Sequence, residues 1–549
     1  MLLVKIGGFM NVAKFGNWIT GLLKNALAYF EKIQIGHFFD CFFIALIIVI
    51  SFFMFEPGLN SSWGLLDDHE IIVYSPASHP LGFSEIFPTL LTKTEINPDS
   101  TVPRFRPAYF TLRLLETRIW SAESVFPWYL FRIVLFMFFI TSVFLFFKKI
   151  NGRLIGGLLA FLIATFNFWN GIFSRLGPAE TYAILGLSFF LIGTLFLMQN
   201  KKSNFAWIII LLGTIIAIGS KENMVIFLVP EIYLVVLFFR MPLKNNIFPF
   251  AMLAISLLWT IWIFATVFMR IKTNGSDIYE NSVGLSGRLS ILGSYVSENI
   301  FLILFITMLL IVGIVGYIVM KTKEHKLHFI YLIFGALGIF GLIFSQQIFY
   351  SGSIWGRYNF PYALYLPLTI SLAAYFLQNL PLINRKLIYN FTTLIISGVL
   401  IMFFIQPANL LFVRKIAKEY DFATHQFQSI LHDIEYYLTT NSSSSIVFFG
   451  SEPERDYERI VSFIRYIRND SFSNDIFIYN DPPEDFEMTY SKLNVSLEKE
   501  LMLWSKEGKP EEGIKPMEEF FNNPDDCLLI DFSEQHPELI KCDSIITIQ

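Results

Sequence analysis

Long apolar runs restrict the folding of this chain more than any other feature. A helix that crosses a bilayer needs about 20 predominantly apolar residues. Runs of that kind fall near 39–55, 126–147, 154–172, 181–198, 206–219, 223–239, 247–268, 300–320, 327–349, 359–379 and 387–405. They predict a polytopic α-helical membrane protein with about eleven transmembrane helices, the fifth being short. Charged residues make up only 16% of the chain, against about 25% in a soluble domain. The mean hydropathy is +0.54. A formal net charge of −4 gives no support to nucleic-acid binding, and no local basic stripe supplies it.

Lysine and arginine gather on the cytoplasmic side of membrane proteins, so their positions predict orientation. With the N-terminus inside, the inner loops carry Lys148, Lys149 and Arg153, then Lys201 and Lys202, then Arg240 and Lys244. They continue with Lys321, Lys323 and Lys326, and end with Arg385 and Lys386; Glu324 is the acidic exception. The first outer loop, 56–125, has more acids than bases. An odd number of crossings puts the segment from 406 to 549 outside. The expected location is therefore the plasma (inner) membrane, multi-pass, with a cytoplasmic N-terminus.

The flanking segments differ from the apolar region, 37–405. In 1–36, Phe9, Val12, Phe15, Ile19, Leu22, Ala26 and Phe30 recur at helical spacing, interrupted by Lys14, Lys24, Glu31 and Lys32. That pattern predicts an amphipathic helix on the cytoplasmic membrane surface. Residues 406–549 are polar, with acidic clusters at 452–458 and 481–487. Short apolar runs at 446–449, 476–479, 528–530 and 545–548 predict strands, and 460–467 predicts part of an amphipathic helix. The expectation is a small extracytoplasmic α/β domain. Cys41, at the start of the first run, is expected to be buried. Cys527 and Cys542 are near enough in sequence to pair, as an oxidising compartment would permit; two free thiols are the alternative.

Five polar motifs fall at the predicted outer boundary. Asp67-Asp68-His69-Glu70 comes soon after the first helix. Adjacent carboxylates can hold a divalent metal, or one can act as a general base while its neighbour tunes it; a solvated loop is the plain alternative. Pro103-Arg104-Phe105-Arg106-Pro107 could clamp a phosphate, because guanidinium matches its oxygens bidentately, or could anchor in the lipid headgroups. Arg175 and Glu180, in Ser174-Arg175-Leu176-Gly177-Pro178-Ala179-Glu180, could pair with each other or serve a site. Ser220-Lys221-Glu222-Asn223 puts adjacent opposite charges at a tight junction, where charges are functional or paired. Gly356-Arg357-Tyr358, with Pro361 just beyond, opens the tenth span; it could face an anion or act as an interfacial anchor. Each motif has a structural alternative, but all five fall on one side, opposite the basic loops.

This ordered series resembles the GT-C superfamily of integral-membrane glycosyltransferases, especially bacterial relatives of protein O-mannosyltransferases and aminoarabinose transferases. Asp67-Asp68 matches the family's acidic motif in the first outer loop. The segment from Arg104 to Arg118 resembles its Arg-Pro segment. Gly177-Pro178-Ala179-Glu180 and Ser220-Lys221-Glu222-Asn223 resemble its polar outer turns, and Gly356-Arg357-Tyr358 its late Gly-Arg-Tyr motif. The resemblance covers roughly 35–405. It departs in carrying Asp-Asp where mannosyltransferase relatives often carry Asp-Glu, and residues 406–549 match no subfamily.

The resemblance implies inverting transfer of a sugar from a polyprenyl-phosphate donor to a glycan, lipid or protein acceptor outside. Asp67 or Asp68 would be the general base. Arg104, Arg106, Lys221 and Arg357 would stabilise the lipid phosphate. Arg175, Glu180, Glu222, Glu70, His69 and Tyr358 would bind substrate or orient the cations. No cofactor is otherwise implied; a divalent cation, Mg or Mn, held by Asp67 and Asp68 is left open. Two other classes compete. A lipid-linked saccharide transporter would place ionisable groups near the bilayer midplane, often in repeated broken helices. A non-catalytic cell-envelope assembly protein could keep the same fold.

Overall fold

The computed structural model describes residues 35–547 apart from 66, 67, 69–70, 73–81, 87, 89–104, 121, 200–202, 239–246, 275–284, 321, 351–355, 380–392, 394, 442–443, 451–458, 461, 468–471, 473, 481–513, 516–525 and 533–543. The expected N-terminal amphipathic helix lies outside the described residues.

Most of the helices form where apolar runs are continuous. They are α1 (Ile35–Phe55), α2 (Pro107–Trp120), α3 (Phe126–Asn151), α4 (Arg153–Ala164), α5 (Glu180–Gln199), α6 (Asn204–Ser220) and α7 (Leu228–Phe238). After them come α8 (Ile247–Asn274), α9 (Leu285–Glu298), α10 (Ile300–Val319), α11 (Lys323–Tyr350), α12 (Tyr365–Gln378) and α13 (Ala408–Thr440). Among the described residues, seven helices are long and apolar enough to cross a membrane. An eighth crossing arises if α4 and the helical segment Asn167–Phe173, bent by 55° at their junction, form one broken span. Eleven apolar segments thus yield fewer full-length helices, for local reasons. α6 has 17 residues. The next segment opens as the 3-10 turn Glu222–Phe227 before α7. The last lies partly outside the described residues and ends in a π-helical turn, Leu400–Phe404.

Burial on α1 keeps to one stripe. Phe43, Ile47, Ile50 and Met54 face the bundle, while Phe38, Phe42, Ile48 and Val49 are exposed. Cys41 shares the exposed side with Ile48, two helical turns away, which corrects the expectation that it is buried. In a lipid-facing helix an apolar residue needs no protein cover. α10 carries the same signature, with Phe301 86% exposed.

Close packing of α5 on α6 holds the start of α5 and the end of α6 side by side. Gly186, Gly193 and Gly213 lie along their seam. A Cβ on Gly186 would come within 2.6 Å of Gly213 O, and one on Gly193 within 2.9 Å of Ala206 O. Small residues let membrane helices approach this closely. Elsewhere in the bundle, the buried Glu231 carboxylate of α7 accepts from Ser256 Oγ (2.8 Å) and Thr214 Oγ1 (3.3 Å), tying α6, α7 and α8 together.

Beyond the bundle, α13 runs for 33 residues, about 50 Å at 1.5 Å per residue. Its buried residues Val413, Ala417, Thr424, Phe427, Leu431, Ile434 and Leu438 form one helical stripe. The first half packs on α1; the second joins the core of a sheet. That sheet is parallel and five-stranded, with β1 (Ser445–Gly450), β2 (Ile476–Asn480), β3 (Ile514–Lys515), β4 (Cys527–Asp531) and β5 (Ser544–Thr547) in the order β3-β2-β1-β4-β5. Side chains alternate between its faces. Ile446 and Phe448 pack toward α13 and the helical segment around 459–467, whereas Val447 and Phe449 form a second cluster with Phe477 and Leu529. Cys527 is in a disulfide; Cys542 lies outside the described residues.

Candidate active site

Residues of three of the five polar motifs meet in one cluster, and the late motif closes it. The seam between α5 and α6 sets its centre, because Glu180 opens α5 and Lys221 directly succeeds α6. The two form a buried ion pair, with side chains 3% and 2% exposed. Glu180 therefore takes Lys221, 41 residues away in sequence, and no described contact joins it to Arg175. The adjacent Glu222 turns to another partner, accepting from Arg106 Nε at 3.1 Å. Arg106 directly precedes α2, whose Ala108 lies close beside Gly219 at the end of α6.

In the late motif, Gly356 has φ +52°, a left-handed conformation that glycine adopts freely, at the start of the 3-10 turn Gly356–Asn359. The backbone of Arg357 packs on Gly171. The Tyr358 ring lies close to two cations, with Lys221 Nζ 4.9 Å and Arg357 Cζ 5.4 Å from its centroid, a cation–π arrangement. Gln346 of α11 donates to Tyr358 O and accepts from Asn223 Nδ2 (3.2 Å), so one side chain links this turn to the 220–223 junction.

The cluster's described charges are Arg106, Lys221 and Arg357 against Glu180 and Glu222. Arg357 acts electrostatically on both Glu180 and Lys221. Burial pushes the Lys221 ammonium down to about 8, with Arg106 and Arg357 in the same direction and Glu180 opposing.

The acidic motif is only partly described: Asp67, His69 and Glu70, like Arg104 in the second motif, lie outside the described residues. Asp68 is completely buried. Its Oδ2 accepts from Gly64 N at 2.8 Å, and its carbonyl accepts from Ile71 N and Ile72 N. No described contact joins Asp68 to the cationic cluster. Among the described residues, no group of three or more His, Cys, Asp or Glu side chains could hold a metal ion.

A second charged cluster is one that the sequence motifs do not point to. Arg132 of α3 makes a bidentate pair with Glu116 of α2, at 2.8 Å for both contacts. Arg132 Nη2 and Arg113 Nη1 both donate to Leu176 O, at 3.5 and 2.5 Å, and Tyr109 OH donates to Gly177 O at 3.0 Å. This brace holds the loop that leads into Glu180. Its sequence signal is Arg132 itself, an ionisable residue inside an apolar run.

No family model matches the chain, and no curated protein matches it. Solved structures do. The chain is similar to ArnT and to an oligosaccharyltransferase. The match to ArnT from Cupriavidus metallidurans, solved with undecaprenyl phosphate, has 13% identity and a TM-score of 0.38, covering 88% of this chain and 90% of that one. The match to the Archaeoglobus fulgidus enzyme, solved with Zn and sulfate, has 14% identity and a TM-score of 0.34, covering 77% of this chain and 61% of that one. Likenesses this loose carry no argument about activity, which has to rest on the residues.

Proposed function

We propose that this protein is a GT-C-type glycosyltransferase, transferring a sugar from a polyprenyl-phosphate donor to an acceptor on the extracytoplasmic side of the membrane. The observation that carries the reading is the convergence of Arg106, Lys221 and Arg357 with Glu180, Glu222 and Tyr358 at the ends of apolar helices. A lipid phosphate needs this combination: cations for its head and an apolar bundle for its tail. The disulfide at Cys527 fits an oxidising compartment for the tail, as does the basic character of the opposite loops.

In this reading a carboxylate of the acidic pair takes the proton from the acceptor hydroxyl. The acceptor oxygen attacks the anomeric carbon as the carbon–oxygen bond to phosphate breaks, so the sugar inverts. The leaving lipid phosphate carries the electron pair and is stabilised by Arg106, Lys221 and Arg357; Arg104 is assigned the same role. Complete burial of Asp68 and its bond from Gly64 N favour Asp67 as the base and Asp68 as the residue that holds the turn. Glu180 and Glu222 orient the cations. His69, Glu70, Arg175 and Tyr358 are assigned to substrate contacts. The transporter reading has one intramembrane carboxylate in its favour, Glu231, but two hydroxyls satisfy it.

The test supplies purified protein with a polyprenyl-phosphate-linked sugar and a panel of glycan, lipid and protein acceptors, and measures release of the polyprenyl phosphate. Release is expected. The value of kcat/KM should fall as pH rises through about 8, because Lys221 then loses the charge that binds phosphate. Lys221→Arg, which stays charged, should move this alkaline limb upward. Absence of release with every pairing of polyprenyl-linked donor and acceptor would sink the proposal.

Orientation has its own check. A topology reporter fused after Gln549 should be active outside the cell, and a cytoplasmic signal would separate the tail from the proposed site.

A further inference from the structure

The segment that precedes the acidic pair is gripped, peptide by peptide, by residues about 360 to 400 positions later. Ser61 Oγ donates to Asp421 Oδ1 (3.2 Å), and Ser62 N donates to Thr424 Oγ1 (3.0 Å). Gln428 Nε2 donates to Trp63 O (3.1 Å), and Tyr466 OH donates to Gly64 O (2.8 Å). Ser462 Oγ donates to Leu65 O. Asp421, Thr424 and Gln428 lie on α13; Ser462 and Tyr466 lie on the helical segment that packs under the sheet.

Gly64 is where this grip reaches the acidic turn. Its N–H donates to the Asp68 carboxylate. The peptide plane that carries this N–H has the Trp63 carbonyl at its other end, held by Gln428. The next plane carries the Gly64 carbonyl, held by Tyr466. Both planes that meet at Gly64 are therefore tied to the tail, and a peptide whose carbonyl accepts a hydrogen bond is a more polarised N–H donor. The site is tight as well as tethered. A Cβ on Gly64 would lie 3.2 Å from Asp68 Oδ2 and 3.5 Å from Thr424 Cγ2.

We propose that Tyr466 and Gln428 are positioning residues for Asp68: acting through Gly64, the C-terminal tail fixes the buried carboxylate that is next in sequence to the proposed base. This rests on the glycosyltransferase reading and adds to it a role for the tail in turnover.

The experiment compares wild type with Tyr466→Phe, Gln428→Met, Gly64→Ala and Asp67→Asn in the donor-release assay, with detergent melting temperatures for each. Tyr466→Phe keeps the ring, which packs on Phe427 with centroids 5.0 Å apart, and removes only the hydroxyl. At a temperature well below either melting point, the loss of one such bond should lower kcat about tenfold with the donor KM unchanged, while the melting temperature falls by only the few degrees one hydrogen bond is worth. Gln428→Met should do the same. Gly64→Ala, which pushes on Asp68 directly, should lower kcat at least as far. The inference is overturned if these three variants keep wild-type kcat while Asp67→Asn loses it, or if kcat falls only in step with melting temperature or with a rising KM. Wild-type turnover by Asp67→Asn would instead overturn the catalytic reading beneath it.

Discussion

Replacing Arg132 by Met should destabilise the protein by about 3–5 kcal/mol, the usual result of removing one partner from a buried ion pair. Arg132 has no exposed side-chain surface, and Glu116 is 7% exposed. Once the guanidinium is gone, the Glu116 carboxylate stays buried without the two donors that faced it, and Leu176 O loses one of its two. Changing both residues together, Arg132→Met with Glu116→Leu, removes the stranded charge along with its partner. Paired replacement by apolar groups of similar size is often neutral or even stabilising. The double variant should therefore regain most of the loss. Denaturant unfolding in detergent measures both, and a double variant no more stable than Arg132→Met would refute the account. Activity separates a second role from the first: if the brace also sets the loop before Glu180, the double variant will be stable yet slow.

The second large effect concerns chemistry. Asp67→Asn should reduce kcat by about 10²–10⁴-fold, the range that general-base catalysis supplies, while binding of the lipid donor is retained. The amide nearly matches the carboxylate in shape but cannot take a proton. Asp68→Asn keeps an oxygen that can accept from Gly64 N, so it should cost less activity than Asp67→Asn. Single-turnover sugar transfer with saturating donor gives the comparison. A ranking in which Asp68→Asn is the more damaging would reassign the base.

Much of the bundle is legible in the sequence because apolar length is a one-dimensional signal. Runs such as 126–147 and 181–198 coincide with α3 and α5 within a few residues. The strand-like runs at 446–449, 476–479 and 528–530 coincide with β1, β2 and β4 for a similar reason: each is a short apolar stretch bounded by polar residues. Partner choice is not legible. Arg175 looks like the natural mate of Glu180 because it is close in sequence, but the glycine seam of α5 and α6 delivers Lys221 instead. The Arg132–Glu116 pair is hidden because Glu116 falls in what the apolar runs mark as a loop, whereas the structure makes it part of α2. No apolar run marks helix α13: its buried residues form a narrow stripe between polar ones, half against bundle helices and half against a sheet. Cys41 differs for another reason: hydrophobic character predicts a place away from water, and in a bilayer that includes the protein's outer surface.

The glycine seam has a consequence for how sequences of this kind can diverge. Glu180 and Lys221 meet only because one starts α5, the other directly succeeds α6, and the two backbones touch in between. Side chains on the lipid-facing sides of that hairpin can drift freely, since they carry no positional information. Length cannot drift in the same way. One inserted residue within the seam turns everything beyond it by about 100° and shifts it about 1.5 Å along the axis, moving a charge off its partner while leaving composition and hydropathy untouched. The hairpin therefore works as a ruler, and its spacing should outlast its identity.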